Sequence, residues 1–168
     1  MNLEWLGIQL LGGLAALIGV LAFQCRHDVR MLMLLSGSCL LWSLHFLLLA
    51  QPTAALLNLI TAARNLVGMH CHGVWFASGF ISLYLFTGGV SWQSSWDIFA
   101  CDCGGFRKCW GYSFFVGLPR RGALLVGSLL WLVFNWQSGS LPGVIMMGAD
   151  VLSNMHRILR WRNLNATR

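Results

Sequence analysis

Apolar runs of about 17 to 20 residues, the length that crosses the hydrocarbon of a bilayer as helix, recur along the chain between short polar breaks. The first runs from about Trp5 to Phe23, and its small residues Gly12, Ala15, Ala16 and Gly19 suit close helix contact in lipid. The polar loop Gln24–Arg30 separates it from a second run, Met31 to Ala50. Gln51-Pro52 leaves room only for a hairpin turn, with proline placed to begin a third helix over Thr53 to Met69. His70-Cys71-His72-Gly73 closes this group of three. A fourth run, Val74 to Val90, ends at Ser91-Trp92; a sixth and a seventh span Gly122 to Trp136 and Leu141 to Leu159, before a short basic tail.

Two of these groups echo one another. Gly37-Ser38-Cys39-Leu40-Leu41-Trp42 with Pro52 aligns, allowing single-residue gaps, with Gly127-Ser128-Leu129-Leu130-Trp131 and Pro142. An internal repeat outranks local readings. It predicts an all-α polytopic membrane protein of seven helices, two parallel three-helix bundles joined by a linker helix (3-1-3). Residues 1–70 form the first bundle, 71–92 the linker, 93–162 the second bundle and 163–168 a cytoplasmic tail.

Composition agrees with a membrane protein, since 57% of residues are hydrophobic and 10% charged, whereas a soluble surface needs about 25% charged residues. Glu4 stands where a signal peptide carries basic residues, so the first run is expected to be retained. The net charge of +6 does not form a nucleic-acid patch; it marks topology. With seven helices, Arg26, Arg30, Arg64, Arg120, Arg121, Arg157, Arg160, Arg162 and Arg168 all fall on one side, which the positive-inside rule assigns to the cytoplasm. The other side holds Glu4 and Asp97 with Trp5, Trp92, Trp96 and Trp136 as an interfacial belt. The N-terminus is therefore expected outside and the C-terminus inside.

The fifth span breaks the pattern. Between Trp96 and Gly117 the chain carries Asp102, Arg107 and Lys108, each costing about 2.5 to 3.5 kcal/mol at mid-membrane. Cys101, Cys103 and Cys109, with His70, Cys71 and His72, suggest zinc or copper(I) by ligand softness. Their spacing matches no known zinc module and the two groups fall on opposite membrane faces, so no metal site is predicted. The genetic code supplies another reading. One base out of frame, Phe99 to Ser113 back-translates to Leu-Pro-Val-Ile-Ala-Ala-Val-Phe-Gly-Ser-Val-Gly-Val-Ile-Leu, an uncharged span. Residues 99–114 thus read as an out-of-frame stretch between two compensating indels.

Polar residues at helical spacing supply the candidate site. Ser38, Trp42 and His45 share one face of the second helix, and Ser128, Trp131 and Asn135 one face of the sixth. Asn58, Thr61 and Asn65 line the third, and Asp150, Asn154 and Arg157 the seventh. Such groups either join helices by hydrogen bonds or face a solute pathway, and amide or ionisable side chains at depth favour the second. Asn58, Asn65, Asn154, Trp42, Trp131, His45, Asn135 and Asp150 are the substrate-binding candidates. Two matched polar lines across a repeat axis are the expected surroundings of a central solute site. No catalytic constellation, paired carboxylates or phosphate-binding loop occurs, so no enzyme and no cofactor are expected.

The passages Gly19-Val20-Leu21-Ala22-Phe23, Leu44-His45-Phe46-Leu47-Leu48-Leu49, Leu57-Asn58 and Ser153-Asn154-Met155-His156-Arg157-Ile158-Leu159-Arg160-Trp161-Arg162 resemble the YgjV family of bacterial inner membrane proteins. That family is similar to the SWEET, PQ-loop and nicotinamide riboside transporter group. The resemblance implies a small-solute transporter working by alternating access, with Asn58 or Asn65 and Asn154 facing the solute. Of that group's Pro-Gln pair, Phe23-Gln24 keeps only the glutamine. The expected partners are the lipid bilayer and a small solute, with no nucleic acid; a homo-oligomer is compatible. A non-transporting accessory membrane protein is the alternative, and a metal-handling protein a third.

Overall fold

A computed structural model of the chain describes residues 3–70, 73–91 and 118–166. Six helices and no strand occur among them: α1 Leu3–Ala22, α2 Asp28–Leu48, α3 Pro52–Val67, α4 Val74–Val90, α5 Leu118–Gln137 and α6 Leu141–Ala166. The last two are the predicted sixth and seventh helices. The predicted fifth span, the frame-shifted stretch and Cys101, Cys103 and Cys109 lie outside the described residues, as do Cys71 and His72. Among the described residues α1 and α2 are long and apolar enough to cross a membrane, while Trp75–Val90 and Leu125–Gln137 are shorter apolar stretches.

The packing is inside-out relative to a soluble protein. On α1 the small residues Gly12, Ala15, Gly19 and Ala22 face inward, whereas Leu10, Leu14, Leu17 and Leu21 are largely exposed. Buried positions are as often polar as apolar among the described residues. Large hydrophobes outside and polar groups within suit a lipid solvent, where helices associate through small residues and internal hydrogen bonds. α1 packs on α2, α2 on α3, α3 on α4 and α5 on α6, and α1 also touches α6. The Tyr84 hydroxyl of α4 shares a 2.7 Å hydrogen bond with Thr61 of α3.

The two hairpin turns are built alike. At the end of α2 the Gln51 N–H donates to Phe46 O and the Ala50 N–H to Leu47 O; at the end of α5 the Ser140 N–H donates to Asn135 O and the Gly139 N–H to Trp136 O. Both are Schellman closures, with Ala50 (φ 56°) and Gly139 (φ 70°) in the left-handed position. A proline follows each turn, Pro52 at the start of α3 and Pro142 in the first turn of α6. Counted in step from Gln51 and Ser140, Trp42 pairs with Trp131 and Asn65 with Asn154.

One boundary departs from expectation. α6 continues to Ala166, through most of the segment read as tail. Nothing after Leu159 breaks a helix: Arg160-Trp161-Arg162-Asn163-Leu164-Asn165 contains no glycine or proline, and the arginines suit a helix C-terminus.

Candidate solute cavity and its closed end

A cavity of about 540 Å³ lies between α1–α3 on one side and α5–α6 on the other. At one end it reaches Arg64, in the last turn of α3, and Arg157, in the second half of α6; at the other it stops at Phe46, Asn135 and Gly143. Its volume falls in the range of small-molecule sites, about 300–1,000 Å³. Seven of the eight candidate residues line it: Trp42, Asn58, Asn65, Trp131, Asn135, Asp150 and Asn154. The eighth, His45, does not.

The amide residues share a local pattern. Asn58 Nδ2 donates to Ala54 O at 2.9 Å, Asn135 Nδ2 to Trp131 O at 2.7 Å and Asn154 Nδ2 to Asp150 O at 3.0 Å. In each case the amide nitrogen is tied to the carbonyl one turn back on its own helix, which fixes the carboxamide against the wall. Asn65 differs, its Oδ1 accepting from Arg64 Nη2 at 3.0 Å. Trp42 stacks on Phe46 with centroids 5.6 Å apart, and Phe46 meets Trp131 and Phe134 at 6.0 and 5.9 Å. This aromatic cluster joins α2 to α5 at the blind end of the cavity.

Beyond that cluster a polar closure ties the α5–α6 turn to α1 and α2. Gln9 of α1 donates from Nε2 to Gly139 O (2.9 Å) and accepts at Oε1 from the Leu141 N–H (3.0 Å). His45 is wholly buried, its Nδ1 2.8 Å from Ile8 O and its Nε2 2.8 Å from Ser140 Oγ. Ser140 is also the N-cap of α6, since its Oγ accepts from the Gly143 N–H at 3.3 Å. Gly12 makes the approach feasible: a Cβ there would lie 2.7 Å from His45 Cε1. Sequence reasoning missed Gln9 and Ser140, whose partners come from the opposite end of the chain.

The described residues hold no group of three or more histidine, cysteine, aspartate or glutamate side chains able to bind a metal. What the cavity offers is amide, hydroxyl and indole surface, with Asp150 and two arginines toward its mouth. These groups can recognise a ligand through hydrogen bonds and stacking.

A family model described as Imp-YgjV, bacterial inner membrane protein, matches residues 6–165. The chain belongs to the Imp-YgjV family. The inner membrane protein YgjV of Escherichia coli K12 is 27% identical over 179 aligned residues, covering 96% of this chain and 88% of that protein. No solved structure matches the chain. Imp-YgjV membership bears out the family resemblance and the inner-membrane assignment; the likeness to the SWEET and PQ-loop group finds no support in these comparisons.

Proposed function

We propose that this Imp-YgjV protein carries a small solute across the inner membrane by alternating access. The observation that carries the reading is the cavity of about 540 Å³ between two helical units, lined by amides and hydroxyls among apolar side chains such as Leu57 and Met146, with hydrogen bonds between those same units beyond one end. The matching Schellman turns, and the register that pairs Asn65 with Asn154, support a duplicated unit and the 3-1-3 arrangement of seven helices. Solute sites at the junction of repeats, reached from one side at a time, are the working principle of such folds.

On this reading the end bearing Arg64 and Arg157 faces the cytoplasm, in keeping with positive-inside topology, and the Gln9–His45–Ser140 closure faces outward. The N-terminus is outside and the C-terminus inside. Asn58, Asn65, Asn135 and Asn154 supply hydrogen bonds to the solute, while Trp42 and Trp131 offer aromatic surface. An accessory role, in which the polar lines only join helices, is the rival. Proteoliposomes loaded with panels of labelled sugars, nucleosides, amino acids and vitamin-like compounds separate the two. Flux of one class, cut at least tenfold by Asn154→Ala in a folded protein, is the expected result; absence of flux for every class favours the accessory role.

A further inference from the structure

We propose that the cavity takes an aromatic amino acid, a solute that joins a flat apolar ring to an adjacent ammonium and carboxylate. The inference rests on the reading of the cavity as a solute site and adds the class of solute. What carries it is the order in which apolar and charged side chains follow one another along the cavity.

Helix geometry gives the depth of each group, at about 1.5 Å per residue from the α2–α3 and α5–α6 turns at the blind end. Trp42 stands six residues before the end of α2 and Trp131 six before the end of α5, so both indoles lie about 9 Å from the turns. Asp150 follows at about 13 Å on α6, Arg64 at about 18 Å on α3 and Arg157 at about 24 Å on α6. Side chains lean toward the N-terminus of their own helix, which for α3 and α6 is the blind end. The long Arg157 side chain thus leans back toward the level of Arg64.

Each layer suits a different part of one ligand. Around the indoles Phe46, Leu57 and Met146 complete an apolar, aromatic end, where a flat ring buries its surface and meets indole faces and edges. One layer on, the half-buried Asp150 presents a negative charge, complementary to an ammonium. Beyond it, Arg64 gives one N–H to Asn65 Oδ1, and a guanidinium carries five. With the exposed Arg157 it makes the mouth complementary to a carboxylate, which guanidinium groups bind through paired hydrogen bonds. A sugar or an uncharged nucleoside has nothing to match these charges. An aromatic acid without an amine meets Asp150 with like charge, and an aromatic amine without a carboxylate meets the arginines with like charge. A zwitterion that carries a ring satisfies all three layers at once.

The test is isothermal titration calorimetry on the full-length protein in nanodiscs, with L-phenylalanine and three compounds that each lack one part. These are 3-phenylpropionate without the ammonium, phenethylamine without the carboxylate and L-alanine without the ring. Each should bind at least tenfold more weakly than L-phenylalanine, as for the loss of one charged contact or of the buried ring. Arg157→Gln, a change at an exposed position of the kind that rarely unfolds a protein, should weaken L-phenylalanine at least tenfold and phenethylamine less than twofold. Asp150→Asn should weaken L-phenylalanine to the same degree and spare 3-phenylpropionate; if that variant does not fold, Arg157→Gln decides alone. No binding of L-phenylalanine, equal binding of the three analogues, or an affinity indifferent to Arg157→Gln overturns the proposal. Flux into proteoliposomes is scored separately. L-Phenylalanine that binds without crossing upholds the site and counts against transport, whereas flux of another class that L-phenylalanine does not inhibit upholds transport and overturns the assignment of this solute.

Discussion

Replacing Gly12 with alanine tests the contact on which the closed end depends. The new Cβ would stand 2.7 Å from His45 Cε1 and 2.8 Å from Nδ1. The ring cannot retreat, because both nitrogens are held at 2.8 Å, by Ile8 O and by Ser140 Oγ. Overpacking of this kind costs about 1–3 kcal/mol, and losing one histidine hydrogen bond adds about 0.6–2 kcal/mol in lipid. Gly13→Ala is the control. It lies on the exposed face of the same helix with nothing within 4 Å of its Cβ position, and it gains the same helix propensity of about 1 kcal/mol. The difference between the two variants is therefore about 1.6–5 kcal/mol. At about 2–4 °C per kcal/mol for a chain of this size, Gly12→Ala should unfold roughly 3–20 °C below Gly13→Ala in tryptophan-fluorescence melts of nanodisc samples. Equal midpoints would refute the packing of His45 on α1.

Further outcomes follow from other contacts. Gln9→Leu removes the two bonds to Gly139 O and the Leu141 N–H and should cost about 1–3 kcal/mol, at about 0.5–1.5 kcal/mol for each hydrogen bond; a melt unchanged from wild type contradicts it. Tyr84→Phe should cost about 1 kcal/mol in the wild-type chain and less in a Thr61→Val background, where the 2.7 Å bond between the two hydroxyls is already gone; strict additivity would count against that bond. Ala50→Gly relieves a left-handed residue and should stabilise by up to about 1 kcal/mol, read as a higher melting midpoint; a lower one argues against the turn. Resequencing codons 97 to 118 should restore an apolar frame over residues 99–114. The present frame, found again in the DNA and in a peptide containing both Cys101 and Cys103, contradicts that reading.

Much of the architecture was legible because membrane helices announce themselves by length. α1 through α4 lie within a few residues of their expected limits, and Pro52 marks a hairpin as proline at a helix start should. The polar lines were legible too, since helical spacing alone gathers Asn58 with Asn65 and Asp150 with Asn154. Their pairing across the repeat was not. The letters aligned Ser38 with Ser128, while the hydrogen bonds of the two turns set a register one residue different, matching Asn65 to Asn154. His45 was grouped with the cavity because it shares a face with Ser38 and Trp42. It lies one turn further along that face, beyond the aromatic cluster, and meets Ser140 instead. Gln9 gave no local signal, because its partners stand far along the chain and only tertiary packing brings the α5–α6 turn to it. The charged stretch Asp102, Arg107 and Lys108 lies outside the described residues, and the DNA decides it.

The central claim is a cavity open to one side of the membrane and closed to the other by the Gln9–His45–Ser140 contacts. Cysteine accessibility tests it most directly. In a chain freed of its native cysteines, Asn58→Cys on the cavity wall is exposed to a membrane-impermeant thiol reagent from either side of oriented vesicles. The expected result is rapid labelling from the cytoplasmic side and little from the outside, with outside labelling rising at least tenfold once Gln9→Leu and Ser140→Ala remove the closure. Equal labelling from both sides, or outside labelling indifferent to the closure, would contradict the account.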